Sequence, residues 1–300
     1  MQIITLTKKQ FESLKIYKIK DNLFTAEGDF YILPLSNKWK TVKKLLKKFH
    51  NTSGKNYDNK IKTIKSLIEL KQIINVPELV LPENLVQIDN EVIGYTMELI
   101  PSINLEEALL SNEIDLEKKI KYLSQIGIIL EKMEYVRKYT ELKEFYLNDV
   151  HENNFVVDLK SDSVRVVDVA SCKISDNISC TIGSKYLQPD TLITHIDKYK
   201  QDENFVYGCS FIPTRDTDLY CYTIMILNFI YGGEIEKLTI EEYYDYLEYL
   251  LSIGTDRQII NIFKKITTNS PNENPYKLLN SLIPLYGRMH KNAYKCNRKR

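Results

Sequence analysis

The amino-acid sequence predicts a mixed α+β chain, in which a small antiparallel β lobe with one helix precedes a larger, mainly helical lobe. Short alternating runs of apolar and polar residues in the first 50 positions are typical of strands. Longer runs with helical spacing follow from residue 105 onward. The 300 residues exceed the usual size of a single domain, so we expect two lobes around a cleft, at residues 1–100 and 101–300.

Composition narrows the classes of function. Apolar residues make up 43% of the chain, enough for a sizeable core, and the net charge of +1 argues against a protein that works mainly by coating nucleic acid. The five cysteines are odd in number and form no Cys-x-x-Cys pair, as expected for reduced thiols in a cytosol rather than for disulfides or a zinc site. The N-terminus lacks the order of a secretory signal, so we predict a cytoplasmic protein with no membrane partner.

In the small lobe, the predicted order of elements is strands, one helix and two further strands. Residues 14–19 and 29–34 alternate between apolar and polar side chains, which predicts antiparallel strands. Residues 60–70 follow a polar turn and have the spacing of an amphipathic helix. Two more strands are predicted at residues 85–88 and 92–97.

In the large lobe, residues 105–110 and 116–133 are predicted as helices. A run that is apolar on nearly every face and ends at Gly232 predicts a fully buried helix, with Thr217 or Asp218 as its N-cap. At about 14 residues, this helix is too short to cross a bilayer.

Polar side chains cluster around a predicted hairpin. Asp149, His151 and Asn154 precede one apolar strand, and Asp168 follows the next strand at residues 164–167. A tight hairpin would hold the two aspartates and the asparagine at the mouth of one cleft. Two carboxylates and an amide oxygen are hard ligands suited to Mg²⁺, which takes one or two carboxylates together with substrate phosphates. The alternative is an ordinary hairpin with incidental acids.

This spacing resembles the catalytic centre of the protein-kinase superfamily, in which an Asp is followed by an Asn and then by the metal-binding Asp of an Asp-Phe-Gly motif. By this resemblance, Asp149 is the catalytic Asp, and Asn154 and Asp168 are the metal ligands. Asp-Val-Ala stands here in place of Asp-Phe-Gly. His151 lies where protein kinases carry Lys and where the aminoglycoside and choline phosphotransferases carry His, and it would contact the γ-phosphate or the transferring group.

Two later segments occur in the order that the resemblance requires. Residues 183–190 resemble the end of a kinase activation segment, with Pro189 and Asp190 in place of its Pro-Glu, 22 residues after Asp168. Asp218 would occupy the start of the family's central buried helix, where its carboxylate braces the backbone of the catalytic loop. The resemblance therefore implies a two-lobed protein kinase-like fold, with the nucleotide-binding lobe first and the catalytic lobe second.

Residues between the two lobes resemble the kinase hinge. Met97 would be the gatekeeper, and the backbone of Glu98 and Ile100 would face an adenine edge. Asn104 could reach a ribose. The alternative is a strand end that leads into a proline turn.

The lysine that would hold the nucleotide phosphates is not singled out by the sequence. Residues 39–49 could form its strand, on which Lys44 or Lys47 would point inward, and we favour Lys44. The alternative is the exposed basic face of a helix. Glu69 is the expected partner of this lysine on the following helix. The small lobe contains no Gly-x-Gly-x-x-Gly run that would bring backbone amides to the phosphates.

The resemblance implies phosphoryl transfer from ATP with Mg²⁺ as cofactor, with Asp149 orienting the substrate hydroxyl and accepting its proton. We expect a protein Ser/Thr kinase of bacterial or viral type, whose protein substrate or partner the sequence does not identify. One alternative, indicated by Asp149 and His151, is a small-molecule kinase of aminoglycoside-phosphotransferase type. Another, indicated by the missing glycine run, is a pseudokinase or nucleotide-gated binding module.

The basic tail at residues 288–300 is typical of a solvated helix end, with contact to nucleic acid or an acidic partner as the alternative.

Overall fold

A five-stranded mixed sheet forms the N-terminal part of the computed structural model, and a mainly helical part follows it. The structure describes residues 3–15, 18–19, 28–36, 41–178, 184–187, 191–192 and 212–298. The sheet has the spatial order β1-β4-β5-β3-β2, and its strands are β1 (Ile3–Leu6), β2 (Gly28–Ser36), β3 (Thr41–Phe49), β4 (Asn84–Ile88) and β5 (Glu91–Glu98). The predicted strands at residues 29–34, 85–88 and 92–97 are confirmed.

The start of the chain differs from the prediction of an all-antiparallel sheet. Strand β1 pairs in parallel with β4, and helix α1 (Lys8–Leu14) follows it. Thr7 forms a capping box with Gln10, which satisfies the first free amides of this helix. Leu14 ends the helix with a buried side chain and Lys15 is still helical, so the predicted strand at residues 14–19 is wrong at its first two residues. Residues 16–17 lie outside the described residues, and Lys18 forms an isolated antiparallel bridge with Tyr31. The parallel pairing of β1 with β4 joins distant parts of the sequence, and the alternation of apolar and polar residues does not indicate it.

Strand β3 carries different side chains on its two faces. It lies between β2 and β5, and both pairings are antiparallel. Because side chains alternate along a strand, Leu45, Lys47 and Phe49 share one face, while Lys44 and Leu46 share the other. Lys47, with 1% of its area exposed, is therefore directed away from the face that Leu46 buries under α1.

Helix α2 (Lys55–Glu69) packs across the face of the sheet that carries Phe49. Its buried residues Ile61 and Ile64 belong to one apolar cluster with Phe49 and Ala170. This cluster joins the sheet and α2 to the chain segment that follows the hairpin of the C-terminal part. The short helix α3 (Lys71–Ile74) follows, and the predicted helix at residues 60–70 is confirmed within α2.

The C-terminal part contains short strands and a larger set of helices. The strands are β6 (Ser102–Asn104), β7 (Phe145–Tyr146), β8 (Phe155–Asp158), β9 (Ser163–Val166), β10 (Lys173–Ile174) and β11 (Asn177–Ile178). The helices are α4 (Leu105–Leu110), α5 (Leu116–Tyr139), α6 (Arg215–Tyr231), α7 (Ile240–Ser252), α8 (Arg257–Lys265), α9 (Tyr286–Met289) and α10 (Lys291–Arg298). Strands β8 and β9 form the predicted antiparallel hairpin, and β6 pairs with β8 on its other side.

Helix α6 is the buried centre of this part, as its apolar sequence predicts. Apolar and polar side chains along it lie in the main hydrophobic core. Its N-cap is Thr214, which forms a capping box with Thr217, so the helix begins before the predicted cap residues. Gly232 ends it in the left-handed conformation, at φ 70°, where glycine has no Cβ to strain. None of the helices in the described ranges combines the length and apolar composition that a bilayer crossing requires.

The pairing of β5 with β3 depends on glycine at position 94. A Cβ at Gly94 would lie 2.0 Å from the carbonyl oxygen of Lys47, closer than atoms can approach. We expect Gly94→Ala to push the strands apart and to lower the free energy of unfolding by about 1–3 kcal/mol, as measured by urea denaturation. Gly287→Ala is the control, because nothing lies within 4 Å of its Cβ and alanine favours its helix. Equal stability of the two variants would contradict this account.

Candidate active site

The side chain of Lys47 reaches from the sheet to Asp168, the aspartate that follows β9. Its Nζ lies 2.6 Å from Asp168 Oδ2, and the two residues are 121 positions apart in the chain. Lys47 is buried and Asp168 keeps 18% of its side chain exposed, so this partly buried ion pair joins the N-terminal sheet to the end of the hairpin. A charge buried in this way is stable only with a close partner of opposite sign.

The structure places Lys47, and not the favoured Lys44, against Asp168. Lys44 lies on the opposite face of β3 and pairs with Glu83, with Nζ 2.7 Å from Glu83 Oε2. The physical reason is the alternation of the strand, since positions three apart point to opposite faces. Phe49 and Leu45, both packed in the apolar cluster beneath α2, mark the inward face and could have identified Lys47 from the sequence.

Asp168 adopts the left-handed backbone conformation, at φ 56° and ψ 36°, which aspartate tolerates better than most residues. Burial acts to raise the pKa of its carboxyl group, but the positive charges of Lys47 and Lys60 outweigh burial and hold this pKa below its ordinary value. The carboxylate is therefore ionised at neutral pH. Its second oxygen, Oδ1, is buried and has no hydrogen-bond partner among the described residues.

The run from Asn148 to Asn154 forms a tight loop beside the hairpin. Asn148 lies in the left-handed region at φ 65°, and a single 3-10 turn covers Glu152–Asn154. Asn154 donates its side-chain amide to the Asp149 carbonyl oxygen over 2.8 Å, which turns its Oδ1 away from that carbonyl. His151 Nε2 lies 3.3 Å from Asp149 Oδ1. The three predicted polar residues of this loop are therefore in mutual contact.

The hairpin register brings this loop to Asp168. The Val167 amide donates to the Asn154 carbonyl oxygen over 2.9 Å, and Phe155 pairs with Val166 at the open end of β8 and β9. Asn154 and Asp168 consequently flank the same end of the hairpin. In the described part of the chain, no three His, Cys, Asp or Glu side chains gather into a metal site of their own. A carboxylate with an orphaned oxygen and an amide oxygen beside it still suit Mg²⁺, which fills its remaining positions with water or phosphate.

Asp218 supports the loop from beneath, as the sequence predicts. Its two carboxylate oxygens accept hydrogen bonds from the Leu147 and Asn148 amides, over 2.8 and 2.9 Å. Burial raises the pKa of Asp218 to about 6, although the two backbone hydrogen bonds act to lower it. At neutral pH this carboxylate is therefore ionised and accepts both amides at once, which fixes the backbone just before Asp149.

The structure adds two site residues that the sequence did not single out. Ser184 donates its hydroxyl to the Val150 carbonyl oxygen over 2.8 Å. Tyr186 donates its hydroxyl to Glu152 Oε1 over 2.5 Å, and burial raises the pKa of this phenol, which keeps it a donor. Both residues tie the segment at 184–187 to the loop. The sequence could have indicated both residues, because they lie within the run at 183–190 that resembles the end of a kinase activation segment. Pro189 and Asp190 of the same run lie outside the described residues.

The residues predicted as a hinge lie at and just beyond the end of β5. Met97 is buried in the apolar cluster beneath α2, and Ile100 packs against the same cluster. Glu98 is exposed and pairs with Arg165, with Oε2 3.0 Å from Nη2. Asn104 caps α4 through its Oδ1, which accepts the Glu106 amide over 2.8 Å. The predicted ribose contact would have to share this capping side chain.

A cavity of about 190 Å³ lies away from Lys47, Asp168 and the loop at residues 148–154. Its lining includes Lys71, Glu83, Glu98 and Arg165, with turn residues at 75–81. Neither Lys47 nor the loop aspartates contribute to it, so we do not assign the chemistry of the site to this cavity.

Comparison with known proteins does not assign the chain to a family. No family model matches its sequence, and a search of curated proteins found no match. The function is therefore inferred from the geometry of the residues above.

The raised pKa of Asp218 predicts a pH-dependent stability. The folded state keeps the Asp218 proton up to about pH 6, whereas an unfolded chain releases it near pH 3.9. Between these values the folded state binds more protons, so this carboxyl makes the free energy of unfolding fall as pH rises. Relative to Asp218→Asn, we expect the wild type to lose about 2–3 kcal/mol of stability across this window.

Denaturant titrations of both proteins at several pH values measure the difference. At pH 7 we expect Asp218→Ala to be less stable than the wild type by about 1–3 kcal/mol, because truncation leaves the Leu147 and Asn148 amides buried without an acceptor. Glu241→Gln, a change at an exposed helix start, is the control. A pH-independent difference between wild type and Asp218→Asn would contradict the assignment.

Proposed function

We propose that this protein is an ATP- and Mg²⁺-dependent phosphotransferase with a two-lobed protein kinase-like fold. The observation that carries the proposal is the partly buried contact between Lys47 and Asp168, at 2.6 Å, beside the loop that holds Asp149 and Asn154. A lysine from the sheet, two acids and an asparagine are the groups that phosphoryl transfer needs for positioning and charge neutralisation. The nucleotide would lie between residues 1–100 and the remainder of the chain.

Asp168 and Asn154 would hold Mg²⁺. The ion would neutralise negative charge on the phosphates of ATP. The orphaned Oδ1 of Asp168 supports this role, because a buried carboxylate oxygen without a donor is costly unless a ligand satisfies it. Lys47 would bind the phosphates through its ammonium group once the nucleotide is present.

Asp149 would orient the substrate hydroxyl and accept its proton. The hydroxyl oxygen forms a bond to the γ-phosphorus while the bond from that phosphorus to the bridging oxygen breaks, and ADP leaves. His151, 3.3 Å from Asp149, would contact the transferring phosphoryl group. The loop itself needs little movement for this, since Asp218 and Ser184 hold its backbone from two sides.

A protein hydroxyl is the substrate we favour. Ser184 and Tyr186 fasten the segment at 184–187 to the catalytic loop, which supports a defined platform next to Asp149 for an extended chain. The pairing of Asp149 with His151 favours a small-molecule alcohol as the second candidate. In both cases Met97, Glu98 and Ile100 would line the adenine side of the cleft.

A third candidate is a nucleotide-binding module without turnover. Gly28, the only glycine before Gly54, lies on β2 against the β3 backbone, where a Cβ would be 2.4 Å from the Lys48 carbonyl oxygen. This glycine therefore serves strand packing, and the described residues of the small lobe offer no glycine loop around the phosphates. The observation favours weaker nucleotide contact rather than its absence.

Substitution of the two aspartates separates binding from chemistry. We expect Asp168→Asn to lose Mg²⁺-dependent ATP binding by about tenfold or more, because a neutral amide cannot balance the charge of the ion. Asp149→Asn should keep ATP binding and lose turnover. Calorimetric titration of ATP with and without Mg²⁺ checks both expectations. The metal assignment fails if Asp168→Asn binds Mg·ATP as the wild type does.

Incubation with γ-labelled ATP and Mg²⁺ tests the function itself. Label on this protein or on a generic protein substrate supports the protein kinase, and label in small alcohols supports the second candidate. Binding of Mg·ATP without any transfer supports the third. The absence of nucleotide binding by the wild type would contradict all three.

A further inference from the structure

Helix α2 places a second lysine beside the pair formed by Lys47 and Asp168. Lys60 is half-buried, and its Nζ lies over the ring of Phe49, 5.9 Å from the centroid. Phe49 is two residues from Lys47 on the same face of β3. Phe49 also lies in the apolar cluster beneath α2 that includes Ala170, two residues after Asp168. Two cations therefore converge on one side of the site.

The position of Lys60 is fixed by the packing of its helix. Tyr57, one turn earlier, donates its hydroxyl to the Val92 carbonyl oxygen over 2.6 Å and packs edge-on against Phe49. Ile61 and Ile64 pack in one cluster with Ala170, two residues after Asp168. Helix α2 is thus anchored to the sheet on one side and to the Asp168 segment on the other, which holds the backbone of Lys60 beside the site.

The kinase resemblance predicts a carboxylate on α2 that faces Lys47. Helix α2 does not present one at that position. The acids of α2 are Asp58 and Glu69, and both are exposed. Glu69 is nine residues after Lys60, which is 2.5 turns of helix, or about 13 Å along its axis and on the opposite side. Lys60 and Glu69 therefore cannot face Lys47 together. Helix α2 presents a cation to the site where a glutamate was predicted.

We propose that Lys60 is a second phosphate-binding residue, which with Lys47 forms a two-lysine cradle for the polyphosphate of a nucleotide. The inference rests on the proposed function and deepens it. A flexible lysine acts on phosphate as a mobile point charge with three donors, and it needs no glycine-rich backbone to approach. In this chain, Lys60 takes over the neutralisation that a glycine loop provides elsewhere through backbone amides.

The test compares substitutions on the same helix. Lys60→Met and Lys60→Gln should weaken Mg·ATP binding about tenfold, as loss of a charged hydrogen bond predicts. Lys60→Arg should retain most of the affinity, because the charge remains. Lys62→Met is the matched control, since Lys62 is exposed on α2 and lies about 200° around the helix from Lys60. Calorimetric Kd values and thermal midpoints are measured for every variant at one ionic strength.

The outcomes separate this inference from the proposed function. Wild-type affinity in Lys60→Met, together with loss of binding in Lys47→Met, overturns the role of Lys60 and leaves the nucleotide site standing. If Lys60→Met and Lys60→Arg both lower the thermal midpoint while the affinity per folded molecule is unchanged, Lys60 has a structural role. This result also overturns its role in phosphate binding. No binding by the wild type removes both proposals. Weakened binding in Lys60→Met and Lys60→Gln, with Lys60→Arg and Lys62→Met near the wild type, supports the cradle.

Discussion

The contact between Lys47 and Asp168 connects the N-terminal sheet to the helical part of the molecule, beside the loop that carries Asp149 and Asn154. One partner lies on the central region of the N-terminal sheet, and the other follows the hairpin of the helical part. Removing such a pair from water costs several kcal/mol, and apolar residues of similar volume often stabilise a core as well or better. The pair is thus hard to explain by stability alone. A ligand that needs both a lysine and a carboxylate accounts for it directly, and the orphaned oxygen of Asp168 supports the same explanation.

A second constraint holds the loop that faces this pair. Asp218 lies at the start of the buried helix α6, and both of its carboxylate oxygens accept hydrogen bonds from the backbone amides of residues 147 and 148. Asn148 can then adopt its left-handed conformation, and Asp149 is presented at the surface of a rigid scaffold. Loss of this brace would leave two buried donors unpaired and would release the backbone that positions Asp149. The chemistry of the loop therefore depends on a residue that does not itself reach the cleft.

The sequence predicted much of this arrangement, and its errors have identifiable causes. The hairpin and the buried helix were predictable because apolar runs of these lengths have few alternatives in a core. The bracing role of Asp218 was predicted from the resemblance to the protein-kinase superfamily. Helix α1 was missed because its short capping box lies among alternating residues. Lys44 was preferred to Lys47 because several adjacent lysines obscure the inward face of β3, although Leu45 and Phe49, which share a face with Lys47, mark it. Lys60 lies beside the site because α2 packs between the sheet and the Ala170 segment, and no local pattern in the sequence indicates that packing.

The most direct test is an experimental structure of the protein with Mg²⁺ and a non-hydrolysable ATP analogue. We expect a metal ion about 2.1 Å from Asp168 Oδ1, with Asn154 Oδ1 in the same coordination sphere and the ammonium group of Lys47 on the phosphates. Asp149 should face the γ-phosphate without binding the metal as its main ligand. A nucleotide bound elsewhere would contradict this assignment of the nucleotide site. It would also be contradicted by a nucleotide bound here with Lys47 and Asp168 still in direct contact and no metal between the protein and the phosphates.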